Sequence, residues 1–252
     1  MREIDTVLFD LDDTLHDDST AFRSAARAVA ERLARERAFD PAVLVDAYDA
    51  ETHRFWGGLT AASLGRVLTD ERERMWGVAL RAVGIDDPEL ARASAAAYVR
   101  ARADALALFP GALEVLVALR ARGCKLGLVT NGFAETHHEK IDRLGLRERM
   151  DAFFIADEVG MVKPDPALFL HACRVLGSDP AHTAMVGDRY ERDVRGAHAA
   201  GLFTILLDVH ALPVPADGPA PDAVVTEIGA IMEVLPLAFP RSPGLAGAKP
   251  PS

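Results

Sequence analysis

Four short segments carry side chains that could do chemistry, and the densest is Asp10-Leu11-Asp12-Asp13-Thr14-Leu15. Acids this closely spaced suit a polar turn or a helix N-cap. Asp10 and Asp12, however, stand two residues apart just where an apolar run stops, so both carboxylates can face one pocket. Like charges at that separation resist joint ionisation unless a cation lies between them. A nucleophile, an acid/base and a hard metal ion are the chemistry such a pair suits.

The second segment, Val129-Thr130-Asn131-Gly132, has the composition of an ordinary strand-to-helix turn. A Thr hydroxyl followed by backbone N–H groups can also grip a phosphate oxygen at the start of a helix. In Val162-Lys163-Pro164-Asp165-Pro166 a lysine is held in a proline-stiffened loop, as a positioned point charge against phosphate or as a solvated surface group. Met185-Val186-Gly187-Asp188, with Asp193 five residues on, ends an apolar run in a carboxylate well placed to bind magnesium. Other residues have plainer readings. Asp13 reads as a turn or capping group, and Phe55, Trp56 and Trp76 read as packing residues of a helical region. His137 and His138 read more readily as solvated helix residues than as lining of the entrance, and the arginines of the 17–105 segment mostly as a solvated helical face.

The elements that must position these residues follow from hydrophobic patterning. Non-alternating apolar runs at Thr6–Leu11, Lys125–Thr130, Phe153–Ala156, Thr183–Gly187, Phe203–Leu207 and Ala223–Val225 suit strands buried on both faces of a parallel sheet. Helical patterns between them predict a doubly wound, Rossmann-like α/β core, with ligands at the C-terminal ends of the strands. Residues 17–105 break the alternation. They are rich in Ala, Arg, Glu and Leu, with apolar positions such as Phe22, Ala26, Val29 and Leu33 at helical spacing. This segment is too long for an ordinary crossover and is expected to form an all-helical cap inserted into a core of residues 1–16 and 106–237. Breaks are expected near Asp40-Pro41, Gly57-Gly58 and Gly84 to Pro88, with the return to the core at Phe109-Pro110-Gly111. The Pro- and Gly-rich residues 238–252 are expected to form a disordered tail.

Composition narrows the partners. With 28 Lys and Arg against 38 Asp and Glu, the net charge of -10 repels a nucleic-acid backbone. A phosphate ligand would therefore need local attraction, from a metal, a lysine and backbone N–H groups. Two cysteines, Cys124 and Cys173, make no disulfide framework, and a reducing cytoplasm is expected. No apolar run is long enough to span a bilayer.

In this order the four segments resemble the haloacid dehalogenase superfamily of phosphohydrolases. Its D-x-D-x-T/V pattern is met by Asp10, Asp12 and Thr14, its second-strand Thr or Ser by Thr130, its lysine by Lys163 and its final acidic motif by Asp188 and Asp193. The helical insertion matches the family's first cap class. Thr130-Asn131-Gly132-Phe133 and Glu158-Val159-Gly160-Met161-Val162-Lys163-Pro164 are similar to the nucleotidase and sugar-phosphatase branch. The resemblance implies that Asp10 attacks phosphorus and becomes phosphorylated, while Asp12 protonates the leaving alcohol and then deprotonates the hydrolytic water. It implies Mg2+ held by Asp10, the Asp12 carbonyl and Asp188. It places Thr130, Asn131 and Lys163 on phosphate, with Asp193 orienting Lys163 or a metal-bound water. The implied substrate is a small phosphorylated metabolite, a nucleoside monophosphate first. A sugar-phosphate phosphatase, a phosphomutase, a 2-haloacid dehalogenase and a non-enzymatic module on the same fold are the alternatives.

Overall fold

The computed structural model describes residues 3–64, 67–211 and 213–237; the tail expected at 238–252 lies outside them. Six parallel strands, β1 (Thr6–Phe9), β2 (Lys125–Thr130), β3 (Ala152–Ile155), β4 (Thr183–Gly187), β5 (Phe203–Leu207) and β6 (Ala223–Val225), form one sheet in the order β3-β2-β1-β4-β5-β6. β1 is shorter than its apolar run, since the chain leaves the sheet at Asp10 and Leu11 is buried beyond it. β3 begins one residue earlier than expected, at Ala152.

Alternate residues of β1 serve opposite faces. Val7 and Phe9 pack with Leu126, Leu128 and Val186 in one cluster, whereas Leu8 packs with Val129, Phe154 and Met185 in the other. Burial on both faces is why the strand reads as a continuous apolar run. The order reverses between β1 and β4, which places a crevice above their C-terminal ends. Phe9 is in register with both Leu128 of β2 and Val186 of β4. The residues that follow these strands therefore emerge side by side.

Between β1 and the core helix α5 (Ala112–Ala121) the chain forms α1 (Asp18–Ala34), α2 (Pro41–Gly57), α3 (Leu68–Ala82) and α4 (Pro88–Asp104). Their starts are chemically marked. Asp17, Asp40 and Asp87 accept hydrogen bonds from the N–H groups of Thr20, Ala42 and Leu90, and Pro41 and Pro88 occupy the first turn without wasting a donor. The four helices close around their own apolar cluster, in which the rings of Tyr48 and Trp76 stack with centroids 4.2 Å apart. Trp76 lies in this cluster as expected, but Phe55 and Trp56 also reach the core, where their rings meet Phe133.

The core continues with α6 (Ala134–Arg143), α7 (Ala156–Val159), α8 (Pro166–Leu176), α9 (Arg195–Ala199) and α10 (Ile231–Val234). Asp165 and Pro166 repeat the Asp-Pro start at α8. Cys124 and Cys173 are both buried and free. Among the described residues no helix is long and apolar enough to cross a membrane.

Candidate active site

Asp10 is the first residue beyond β1, Thr130 the last of β2 and Asp188 the first beyond β4. Adjacent parallel strands thus deliver all three to the crevice at the switch point. Lys163 arrives from the loop before α8 and is buried, with Nζ 2.7 Å from Asp10 Oδ1 and 2.6 Å from Asp193 Oδ1. One Asp10 oxygen is thereby fixed. The other, Oδ2, accepts no hydrogen bond among the described residues.

Two glycines make these approaches possible. A Cβ on Gly187 would lie 2.3 Å from the Asp193 carboxyl, so only glycine lets Asp193 pack against the end of β4. The π-helical turn Tyr190–Val194 carries Asp193 there, and its Oδ2 accepts from the Arg189 N–H at 2.9 Å. A Cβ on Gly132 would fall 1.8 Å from Cε1 of His137. His137, expected to be a solvated helix residue, is instead buried over Gly132. Its Nδ1 lies 3.1 Å from the Phe133 carbonyl, which can only accept, so Nδ1 carries the proton of the neutral ring. Nε2 is left buried and without a hydrogen bond, 3.7 Å from Asp12 Oδ2. Burial pulls the imidazole down to about 4 despite the Asp12 charge.

The Asn131 side chain has a task of its own. Its amide nitrogen donates to the Lys163 carbonyl at 2.9 Å and its oxygen accepts from the Lys163 N–H at 2.7 Å. The carboxamide is engaged in holding the lysine loop, which leaves Asn131 its main chain as the means of touching phosphate. Thr130 is buried in the same cleft.

Asp12 is partly exposed at the cleft, beside Lys140 Nζ at 2.6 Å and His16 Nε2 at 3.3 Å. Burial and the Asp18 charge push its carboxyl up, but Lys140, His16 and His137 outweigh them and hold it well below the usual carboxylate range. Asp13 takes a left-handed backbone (φ 59°) and accepts from the Ser19 N–H and hydroxyl at 2.8 and 2.7 Å, the turn-and-cap role read from sequence. His210 joins the site from the loop after β5, 3.3 Å from Asp13 Oδ2 and 3.6 Å from Asp188 Oδ2.

The donor set suits a hard divalent cation. Oxygens of Asp10, Asp188 and Asp193 all lie within 4.8 Å of one another. Both Asp188 oxygens are buried and accept no hydrogen bond, and the nearby Arg189 guanidinium makes only an ion pair at 2.9 Å. Burial pushes Asp10 up to about 6 against the pull of Lys163, and raises Asp188 and Asp193 as well. Burial also opposes the charge on Lys163, but Asp10 and Asp193 together keep its pKa above the ordinary lysine value. One ammonium among three buried acids leaves room for a cation bound by oxygen alone, which favours magnesium over zinc.

The cleft above these residues has a volume of about 780 Å³ and is walled on the far side by the helical insertion. Two arginines of that insertion, Arg72 and Arg102, are exceptions to the mostly solvated face expected of its arginines and turn inward. Arg72 is 8% exposed, and Arg102 pairs with Asp18 at the start of α1.

Comparison with known proteins agrees with this architecture. The chain is 34% identical over 203 residues to a glyceraldehyde 3-phosphate phosphatase of Methanopyrus kandleri, covering 80% of this chain and 83% of that one. It is 35% identical over 140 residues to the pyrimidine 5'-nucleotidase YjjG of Escherichia coli, covering 55% and 61%. The fold is shared with the magnesium-bound structure of the HAD-hydrolase YfnB from Bacillus subtilis, with a TM-score of 0.73 at 21% identity over 92% of this chain and 99% of that one. The profile of the haloacid dehalogenase-like hydrolases matches residues 4–201, and the chain belongs to that family.

Proposed function

We propose that this protein hydrolyses phosphate monoesters of small metabolites through a phosphorylated Asp10. The observation that carries this reading is the environment of Asp10, with Oδ1 held by Lys163, Oδ2 unengaged and the orphaned Asp188 oxygens beside it. Asp10 Oδ2 attacks phosphorus, the bond from phosphorus to the leaving oxygen breaks, and Asp12 gives that oxygen a proton. Water then attacks the acyl phosphate, Asp12 takes its proton, and the bond to Asp10 breaks to release phosphate. Asp12 is ionised beside Lys140, which suits the second step. A dianionic phosphate arriving nearby favours the protonated form needed for the first.

Asp10, Asp188 and the Asp12 carbonyl would hold Mg2+, which would supply positive charge to offset that of the phosphate oxygens. Thr130 and Lys163 add a hydroxyl and an ammonium to the same task, with Asp193 orienting the lysine. The names of the two relatives point to sugar phosphates and nucleoside monophosphates, and the walled cleft admits small esters rather than phosphoproteins. Displacement of halide needs neither an acid at Asp12 nor the acidic cluster at Asp188, which disfavours a dehalogenase. Phosphate release with Mg2+ from p-nitrophenyl phosphate, nucleoside monophosphates and sugar phosphates, ranked by kcat/KM, tests the reading. Turnover of sugar phosphates alone would remove the nucleotidase branch, and no release from any ester would remove the phosphatase.

A further inference from the structure

We propose that Arg72 recognises a second anionic group on the substrate, a carboxylate or a phosphate, on the cap side of the cleft. This rests on the phosphatase reading above. Arg72 lies on the inward face of α3 beside Leu68 and Met75 and lines the same cleft as Asp10. It is 8% exposed, yet among the described residues no carboxylate lies within ion-pair distance of it and no hydrogen bond engages it. Its buried cationic neighbours are all partnered: Lys163 by Asp10 and Asp193, Lys140 by Asp12 and Asp18, Arg102 by Asp18.

Taking most of a guanidinium out of water without an anion is unfavourable, and what stays accessible of Arg72 faces the cleft. The surroundings do not relieve it. The charges that act on it are those of Arg102, which repels, and Glu135, which attracts from beyond ion-pair range. Tyr98 and Tyr48 also favour its charge, but burial raises both phenols and keeps them neutral, so neither supplies an anion. A ligand anion would supply what the protein withholds, because the planar fork of Arg binds a carboxylate or phosphate through two parallel hydrogen bonds. The cleft of about 780 Å³ joins the reacting end at Asp10 to Arg72, within the range of small-molecule sites. The substrate class is therefore a compact phosphate ester with an anion at its other end.

Two matched pairs separate the sources of that anion: 3-phosphoglycerate against glycerol 3-phosphate, which differ by a carboxylate, and fructose 1,6-bisphosphate against fructose 6-phosphate, which differ by a phosphate. With Mg2+, the wild-type protein is expected to favour the more anionic member of at least one pair by about tenfold or more in kcat/KM, mainly through KM. Arg72→Gln is expected to bring that preference to within about twofold, while Arg72→Lys keeps part of it. Should Arg72→Gln fail to fold, Arg72→Lys decides, with a several-fold weaker preference expected and an unchanged one overturning the proposal. Phosphate release from all four esters without preference in either pair would overturn it and leave the phosphatase reading standing. Equal losses in Arg72→Gln on both members of the pair that shows the preference would also overturn it. No release from any of the four esters or from p-nitrophenyl phosphate would overturn both.

Discussion

Lys140, on the core helix α6, places its ammonium 2.6 Å from Asp12 Oδ1 and 2.9 Å from Asp18 Oδ1. Asp18 begins α1 and also pairs with Arg102 near the end of α4. The charge cluster therefore joins both passages of the chain between sheet and cap, and it includes the proposed acid/base. Orientation of Asp12 is coupled to how the cap sits on the core.

Lys140→Met is expected to lower kcat on alkyl phosphates by about tenfold or more, with Lys140→Arg retaining most of it. The same change removes the lysine that Asp12 and Asp18 share and leaves them His16, with Arg102 on Asp18 alone. The expected loss of stability is about 3 kcal/mol, the low end for a broken buried pair because Asp12 is partly exposed. Urea unfolding measures it, and a variant as stable and active as the wild type would show that the cluster is incidental.

Removing the proton of Asp12 should matter most where the leaving group is poor. Asp12→Asn is expected to slow sugar-phosphate hydrolysis by at least about 100-fold more than hydrolysis of p-nitrophenyl phosphate, whose phenolate leaves readily. Equal losses on both esters would assign Asp12 to the dephosphorylation step alone.

The oxygen-only set proposed for Mg2+, Asp10, Asp188 and the Asp12 carbonyl, predicts that exhaustive chelation abolishes turnover and that Mg2+ restores it. Ca2+ is expected to bind without restoring activity, because its larger and looser coordination misplaces the nucleophile. Full activity after chelation would contradict the assignment.

Gly132→Ala would drive a methyl to within 1.8 Å of His137. The expected outcome is a loss of about 1–3 kcal/mol from overpacking, accompanied by a fall in kcat as His137 leaves Asp12. An unchanged melting temperature and rate would show that His137 moves freely.

What could be read in the sequence was whatever one strand end or one loop carries. Asp10, Thr130 and Asp188 each close an apolar run, and parallel pairing of β1, β2 and β4 then brings them together without further information. Lys163 was marked by its prolines. The inserted helices were legible from their spacing and from the Asp-Pro starts of α2 and α4. Contacts across the cleft were not legible in this way. Lys140, Arg72 and Arg102 look like any solvated helical cation until cap and core are assembled, and His16 and His210 gain meaning only beside Asp12, Asp18, Asp13 and Asp188. The carboxamide of Asn131 is not legible either, because a turn residue's side chain can serve a ligand or the neighbouring loop, and its bonds to Lys163 are long-range. For His137 one local sign existed, since the glycine at 132 is the space that its ring fills.

The most direct test of the account is the turnover of Asp10→Asn with Mg2+ on p-nitrophenyl phosphate, measured beside its circular dichroism and melting curve. An amide at this position cannot attack phosphorus, so the account predicts a loss of about 10⁴-fold or more, roughly 5.5 kcal/mol of transition-state stabilisation, in a protein that remains folded. A folded Asp10→Asn protein with activity within about tenfold of the wild type would contradict it.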